Sequence, residues 1–261
     1  MTDLISYEPA TGAELWRGKH GDVNKAVAAA RTAWPKWASA PLAERIERVR
    51  SFSGRVRSEI EKFSDLIARE TGKPLWEARS EVESVISKVD NSVKAYAERT
   101  SQRRIDGKPG TRNALRHKPH GVLAVLGPYN FPAHLPNGHI IPALIAGNAI
   151  IFKPSEKTPA VGAFLTELYR KAGIPDGVIN VVQGGPATGK ELSAHNGIDG
   201  LLFTGSAQTG IALNRQFAGR PDKILASARS GRSAAEAERL RKTADAAAAR
   251  ARNFDIGNSS K

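Results

Sequence analysis

Residues 121–156, GVLAVLGPYNFPAHLPNGHIIPALIAGNAIIFKPSE, decide the fold. The stretch begins with Val122–Leu126, an apolar and partly β-branched run of strand length closed by Gly127-Pro128. Asn130 follows on the loop where that strand ends. Residues 139–146 are mostly apolar and bracketed by Pro136 and Gly147, which predicts a short helix. Residues 149–152 read as a second buried strand, with Lys153 and Glu156 just past its end. Strand, crossover helix and parallel strand make a βαβ unit, and such sheets bind ligands at the carboxyl ends of their strands. Asn130, Lys153 and Glu156 all fall at that edge.

The chain has 261 residues and 40% apolar content, enough for one large α/β domain or two smaller ones. It holds no cysteine, which excludes a disulfide framework, a thiolate metal site and a cysteine nucleophile. The first residues, MTDLISYEP, lack the basic and apolar regions of an export signal. The most apolar run, 140–152, carries Pro142, Gly147 and Asn148 and is shorter than the roughly 20 residues of a membrane span. A soluble cytoplasmic protein with no membrane contact is expected. The net charge of +13 raises nucleic acid as a partner. Residues 51–100 balance at 9 basic and 9 acidic, and the excess sits mainly in 101–120 and 227–261. Neither segment interleaves aromatics with its charges, as single-strand platforms do, so nucleic-acid binding is not expected.

Along the chain, 7–18 reads as a hairpin turning at Ala10-Thr11-Gly12. Asp22 caps a helix with Val23, Val27, Ala30 and Trp34 at helical spacing. From Pro41 a second helix runs through Phe52, Val56, Phe63 and Ile67 to Gly72, and a third spans about 75–103. Residues 104–120 lose the helical period and gain Gly, Pro and basic residues, as an extended arm that pairs subunits or a plain surface loop would. Further on come a helix at 161–172, a strand at 178–182, a helix at 187–195, a strand at 200–203, a helix opening at Gly205 and the start of a strand at 223–226. The alternation defines an α/β fold: an open, mostly parallel sheet with helices on both faces, preceded by long N-terminal helices.

Gly205-Ser206 lies at a strand-to-helix turn. Backbone N–H groups there approach an anion closely, and a helix N-terminus presents about half a positive charge. Glycine-serine pairs also cap many helices that bind nothing. Lys153 and Glu156, at i and i+3, read as a surface ion pair or as partners of ribose hydroxyls. The turn at 184–189, which includes Gly189, is the weakest of these signals. Asn130 is at home in a turn; fixed at a strand end, its amide N–H also stabilises a developing oxyanion, worth roughly 3–4 kcal/mol for one such donor.

PYNFP (128–132), NAIIFKPSEKTP (148–159) and LLFTGSAQTG (201–210), in this order and spacing, resemble the aldehyde dehydrogenase superfamily over about residues 5–226. The resemblance implies an NAD-binding open α/β domain and a small aldehyde, a semialdehyde of arginine breakdown, as substrate. Asn130 then matches the oxyanion-binding amide, and Lys153 and Glu156 match the adenosine-ribose contacts. Phe203 and the GSAQTG run (Gly205, Ser206, Ala207, Gln208, Thr209, Gly210) match the lining of the dinucleotide site. Gly189 joins that set, and so does Tyr129, which stands where many relatives have tryptophan. A glutamate at 156 suits a free ribose hydroxyl, favouring NAD over NADP. No metal is implied.

The departures matter as much. Family members oxidise aldehydes through a thiohemiacetal on a cysteine, with a glutamate as general base in a Leu-Glu-(Leu/Met)-Gly-Gly segment. Here residues 227–231 read SARSG, and no cysteine follows. The expectation is a chain that carries the cofactor-binding part without the catalytic domain and is inactive alone. The alternative is a non-enzymatic module that binds dinucleotide or pairs subunits through 101–120. Residues 227–261 hold ten alanines in 35 and no apolar stripe. They read as disordered or as out-of-frame translation, the rival being a basic helical tail on acidic surfaces.

Overall fold

The computed structural model describes residues 3–101, 103–106 and 111–229. Strands β1 (Leu4–Tyr7) and β2 (Glu14–Gly18) form an antiparallel hairpin that turns through Gly12. Helix α1 (Val23–Ser39) is capped by Asp22, whose carboxylate accepts the Lys25 N–H.

The single helix expected from 41 to 72 is two, α2 (Leu42–Ser58) and α3 (Ile60–Thr71). Glu59 breaks it at φ −112°, ψ 16°. Phe52, Val56, Phe63 and Ile67 enter one core from both sides of the break, so the apolar period runs through it unchanged. Gly72, at φ 74°, ends α3 in the left-handed conformation. Helix α4 (Leu75–Arg99) stops short of the expected residue 103, where Thr100 turns out of the helix and its hydroxyl bonds the Tyr96 carbonyl. Strands β3 (Arg103–Asp106) and β4 (Arg112–Leu115) then pair as an antiparallel ribbon.

The opening stretch folds as β5 (Val122–Leu126), α5 (His134–Ile145) and β6 (Ala149–Lys153). Helix α5 begins before the expected residue 139, because the buried Glu81 carboxylate of α4 accepts the N–H groups of Ala133 and His134. Pro136 then falls within the first turn, where a missing N–H costs nothing. The remaining elements are α6 (Pro159–Lys171), β7 (Ile179–Val181), α7 (Pro186–Ala194), β8 (Gly200–Gly205), α8 (Ala207–Ala218) and β9 (Ile224–Arg229). Residues 227–229 belong to β9, pairing with Phe203, Thr204 and Gly205. The helix-prone stretch 234–252 lies outside the described residues.

Five strands form one parallel sheet in the order β7-β6-β5-β8-β9. Side-chain alternation splits β5 between two cores. Val122, Ala124 and Leu126 face α1, α7 and α8, while Leu123 and Val125 face the layer built from α2 to α6. The N-terminal helices are therefore not a preamble: α1 covers one face and α2–α4 help cover the other. On that second face Tyr169 stacks on Phe52 at 3.7 Å, and its hydroxyl donates to Asn137 Oδ1 at 2.5 Å. Tyr169→Phe leaves that buried acceptor unpaired and is expected to cost about 1–3 kcal/mol, read as a lower urea midpoint at unchanged m-value.

Candidate functional site

The chain goes from β5 outward to β6 and β7 on one side, then crosses to β8 and β9 on the other. That reversal beside β5 is the switch point at which open α/β sheets take ligands. A cavity of about 660 Å³ lies there. Its base is Leu126 and Gly127 at the end of β5, Lys153 and Glu156 at the end of β6, and Phe203 on β8. Helices α7 and α8 form its walls, where Ser193 Oγ meets Gln216 Oε1 at 3.3 Å.

Lys153 is buried, and its ammonium donates to the carbonyls of Pro154 and Gly184 at 2.6 and 2.7 Å. Glu156 Oε2 stands 3.8 Å from the same nitrogen. Burial pushes the Lys153 pKa down, and the Glu156 charge opposes that shift. The stem of Lys153 runs beside Gly189, where a Cβ would meet Lys153 Cε at 3.5 Å. The half-exposed Glu156 carboxylate keeps free acceptor capacity on the cavity wall.

Phe203 closes the base because Gly205 has no side chain: a Cβ there would meet the ring at 2.5 and 2.7 Å. Ser206 is the N-cap of α8; its hydroxyl accepts the Thr209 N–H at 3.2 Å and lies 2.9 Å from Thr209 Oγ1. The capping reading of Gly205-Ser206 is thus realised. A helix start directs the N–H groups of its first residues, here Ala207 and Gln208, outward without carbonyls one turn back.

The structure brings Lys153, Glu156, Gly189, Phe203, Gln208 and Thr209 to one cavity. Gly205, Ser206 and Ala207 connect its base to its α8 wall, and Gly210 is buried in the first turn of α8. Tyr129 and Asn130 are elsewhere. Both are exposed on the β5–α5 loop, Tyr129 under the Lys157 ammonium at 4.7 Å from the ring centroid. The backbone carbonyl of Asn130 accepts from Lys73 Nζ at 2.8 Å. Sequence reasoning missed Lys190, Ser193 and Gln216, which also line the cavity. The available signal was the shared face of two helices: 186, 189/190 and 193 on α7, and 209, 212/213 and 216 on α8. A second pair lies at the same sheet edge, with His139 of α5 2.9 Å from Thr204 Oγ1 and its pKa lowered by burial and then by the Lys88 charge.

A five-stranded parallel sheet covered by helices on both faces, with a cavity at its switch point, describes an open α/β protein. The chain belongs to the aldehyde dehydrogenase family, whose sequence model matches residues 2–251. That match continues past residue 226, where the motif resemblance ends. Among curated relatives, N-succinylglutamate 5-semialdehyde dehydrogenase of Sphingopyxis alaskensis is 70% identical over 224 residues, which is 86% of this chain and 47% of the relative. An Escherichia coli NADP-dependent enzyme superposes with a TM-score of 0.83 at 31% identity, over 88% of this chain and 48% of that one. Staphylococcus aureus betaine aldehyde dehydrogenase, in complex with NAD+, gives 0.83 at 26% identity, over the same 88% and 48%. The chain spans about half the length of the relatives it matches. No helix among the described residues is long and apolar enough to cross a membrane.

Proposed function

We propose that the cavity at the switch point binds NAD. Glu156 accepts from the adenosine-ribose hydroxyls, Lys153 holds that carboxylate and the ribose in place, and the α8 N-terminus at Ser206, Ala207 and Gln208 takes the pyrophosphate. The observation that carries this reading is that Lys153 and Glu156 from one motif and Phe203 and Gln208 from another line one cavity. A carboxylate at 156 repels a 2′-phosphate, so NAD is preferred to NADP. The bound dinucleotide supplies hydride acceptance; the chain's part is to orient it and exclude water along Phe203 and Leu126. Asn130, on the neighbouring loop, is the amide that donates to the oxyanion of an aldehyde addition.

The protein of which these residues are the cofactor-binding part is, in this reading, an NAD-dependent semialdehyde dehydrogenase acting on N-succinylglutamate semialdehyde, as the names of its relatives suggest. Residues 1–226 form the dinucleotide-binding unit, 101–120 pair it with another subunit, and the protein works in the cytoplasm. Because the 261 residues hold no thiol, they are expected to oxidise no aldehyde by themselves. That same fact favours the second reading, a module that binds dinucleotide without chemistry.

Melting curves of the full chain test the site. NAD is expected to raise the melting temperature saturably, as any ligand selective for the folded state does, and NADP to raise it less. Ser206→Asp sets a negative charge against the pyrophosphate and should weaken NAD at least tenfold, or about 1.4 kcal/mol. A melting temperature indifferent to NAD removes the dinucleotide reading. Aldehyde-dependent NADH formation by the purified chain removes the expectation of inactivity.

A further inference from the structure

Two charged residues outside the cavity converge on the loop that carries Asn130. Lys73, in the connection between α3 and α4, donates to the Asn130 carbonyl at 2.8 Å and sits 4.2 Å from the centroid of the Phe131 ring. The same ammonium meets Glu81 Oε2 of α4 at 2.8 Å. Glu81 Oε1 in turn accepts the backbone N–H groups of Ala133 and His134 at 2.9 and 3.1 Å. The side chain of Glu81 is 0% exposed and that of Lys73 only 9%. One ion pair, its carboxylate fully buried, thus grips four features within residues 130–134: a carbonyl, a ring and two N–H groups.

Stability alone is a weak reason to keep such a pair. Taking two charges out of water offsets most of their attraction, and apolar residues of similar size often serve equally well. The pair instead supplies direction, since charge-assisted hydrogen bonds hold their partners to a narrow geometry. The side chain of Asn130 makes no hydrogen bond among the described residues and is exposed, so its backbone is tied while its amide is left to face a ligand. Helix α5, whose first N–H groups Glu81 caps, begins three residues after Phe131, and the turn is therefore anchored at both ends.

We propose that Lys73 and Glu81 are positioning residues for Asn130: they fix the turn so that its amide is presented in one orientation at the carboxyl edge of β5. The functional meaning rests on Asn130 being the oxyanion donor, whereas the mechanical claim does not. Neither side chain needs to touch substrate or dinucleotide.

The test compares Lys73→Met, Lys73→Arg and the double variant Lys73→Met/Glu81→Leu with the parent in the full chain. Amide hydrogen exchange is followed at Ala133 and His134, and the Asn130 side-chain amide is followed by NMR. The double variant replaces the ion pair with an apolar pair but also removes the acceptor of the Ala133 and His134 N–H groups, so its melting temperature is expected to fall while its NAD-induced shift stays near the parent's. Exchange at Ala133 and His134 should accelerate at least tenfold beyond any acceleration of the β5 and β6 amides, and the Asn130 amide signal should move or broaden. Lys73→Arg should restore both. Unchanged exchange at Ala133 and His134 in the double variant, or acceleration spread evenly over the chain, overturns the proposal. Asn130→Ala separates the two claims: it should leave backbone protection intact, so a failure of the oxyanion reading would not alter the exchange result.

Discussion

Gly121→Ala is expected to destabilise the fold by on the order of 4 kcal/mol, combining left-handed backbone strain with the loss of charge-assisted hydrogen bonds. Gly121 immediately precedes the central strand and takes φ 134°, a conformation L side chains rarely adopt. Space is the more severe obstacle. A Cβ would lie 1.9 Å from Asp199 Oδ2 and 2.7 Å from its Cγ. That carboxylate cannot simply swing aside: Oδ2 accepts the Val122 N–H at 2.7 Å, and Oδ1 is held by Arg31 at 2.7 Å. Arg31 also reaches the Gly197 carbonyl at 2.8 Å, so the disturbance spreads from β5 into the α7–β8 connection and onto α1. Equilibrium unfolding in urea would read the loss directly. A midpoint within a few tenths molar of the parent would mean that the Asp199 loop relaxes at little cost. Asp199→Asn in the same background checks the cause, because the steric part should survive when the charge is removed.

Glu70→Ala should be nearly as damaging at neutral pH, by about 2–4 kcal/mol, since it strips two buried N–H groups of their acceptor. Glu70 is 3% exposed, and its carboxylate accepts the Ala160 and Val161 N–H groups at 2.9 and 2.8 Å. It is thereby a long-range cap for α6, whose own N-cap, Thr158, makes no side-chain capping bond. Burial raises the Glu70 pKa above the ordinary carboxylate range, and the two backbone donors oppose that shift without cancelling it. The folded state therefore holds the Glu70 proton more tightly than the unfolded chain, where the pKa is about 4.3. By linkage this contribution is fully present below the unfolded pKa and is lost as pH rises through the folded one. The parent should lose stability over that rise more than Glu70→Ala does, so the gap between them should narrow as pH increases from acid to neutral. A gap that widens instead would mean that the ionised carboxylate at the α6 N-terminus is favoured over the acid.

The parallel sheet was readable because its strands are short apolar runs punctuated by Gly and Pro. All five residues of β5 and all five of β6 are buried, which is how strands covered on both faces present themselves in sequence. The cap at Asp22 was equally plain, being local. What escaped reading is what depends on distant residues. The start of α5 is set by Glu81, which lies 52 residues before Ala133 in sequence, and the α6 start by Glu70, 90 residues before Ala160. Neither leaves a local trace. The break at Glu59 was hidden because two helices sharing one core keep a common apolar rhythm. Of the site, Lys153 and Glu156 were legible from position at strand ends, and Phe203 only through the family resemblance. The α7–α8 wall was not, since it exists only when two helices close over the same sheet edge. The separation of Asn130 from the cavity was also out of reach, as it depends on which way a loop leaves the sheet.

Beginning the sheet at its middle has a consequence for how the chain comes off the ribosome. The four helices α1–α4 are made before any strand of the parallel sheet, and their apolar stripes belong to cores whose other half starts at Val122. Until β5, α5 and β6 emerge, those stripes can close only on one another and leave the sheet-facing side of each core open, a state in which nascent chains are prone to aggregate. From then on each new strand is laid against a finished neighbour, first outward to β7 and then, across the sheet, to β8 and β9. The 121–156 stretch is thus the seed on which earlier helices settle and later strands crystallise, and delays in translation just before it would lengthen the most vulnerable interval in the life of the molecule.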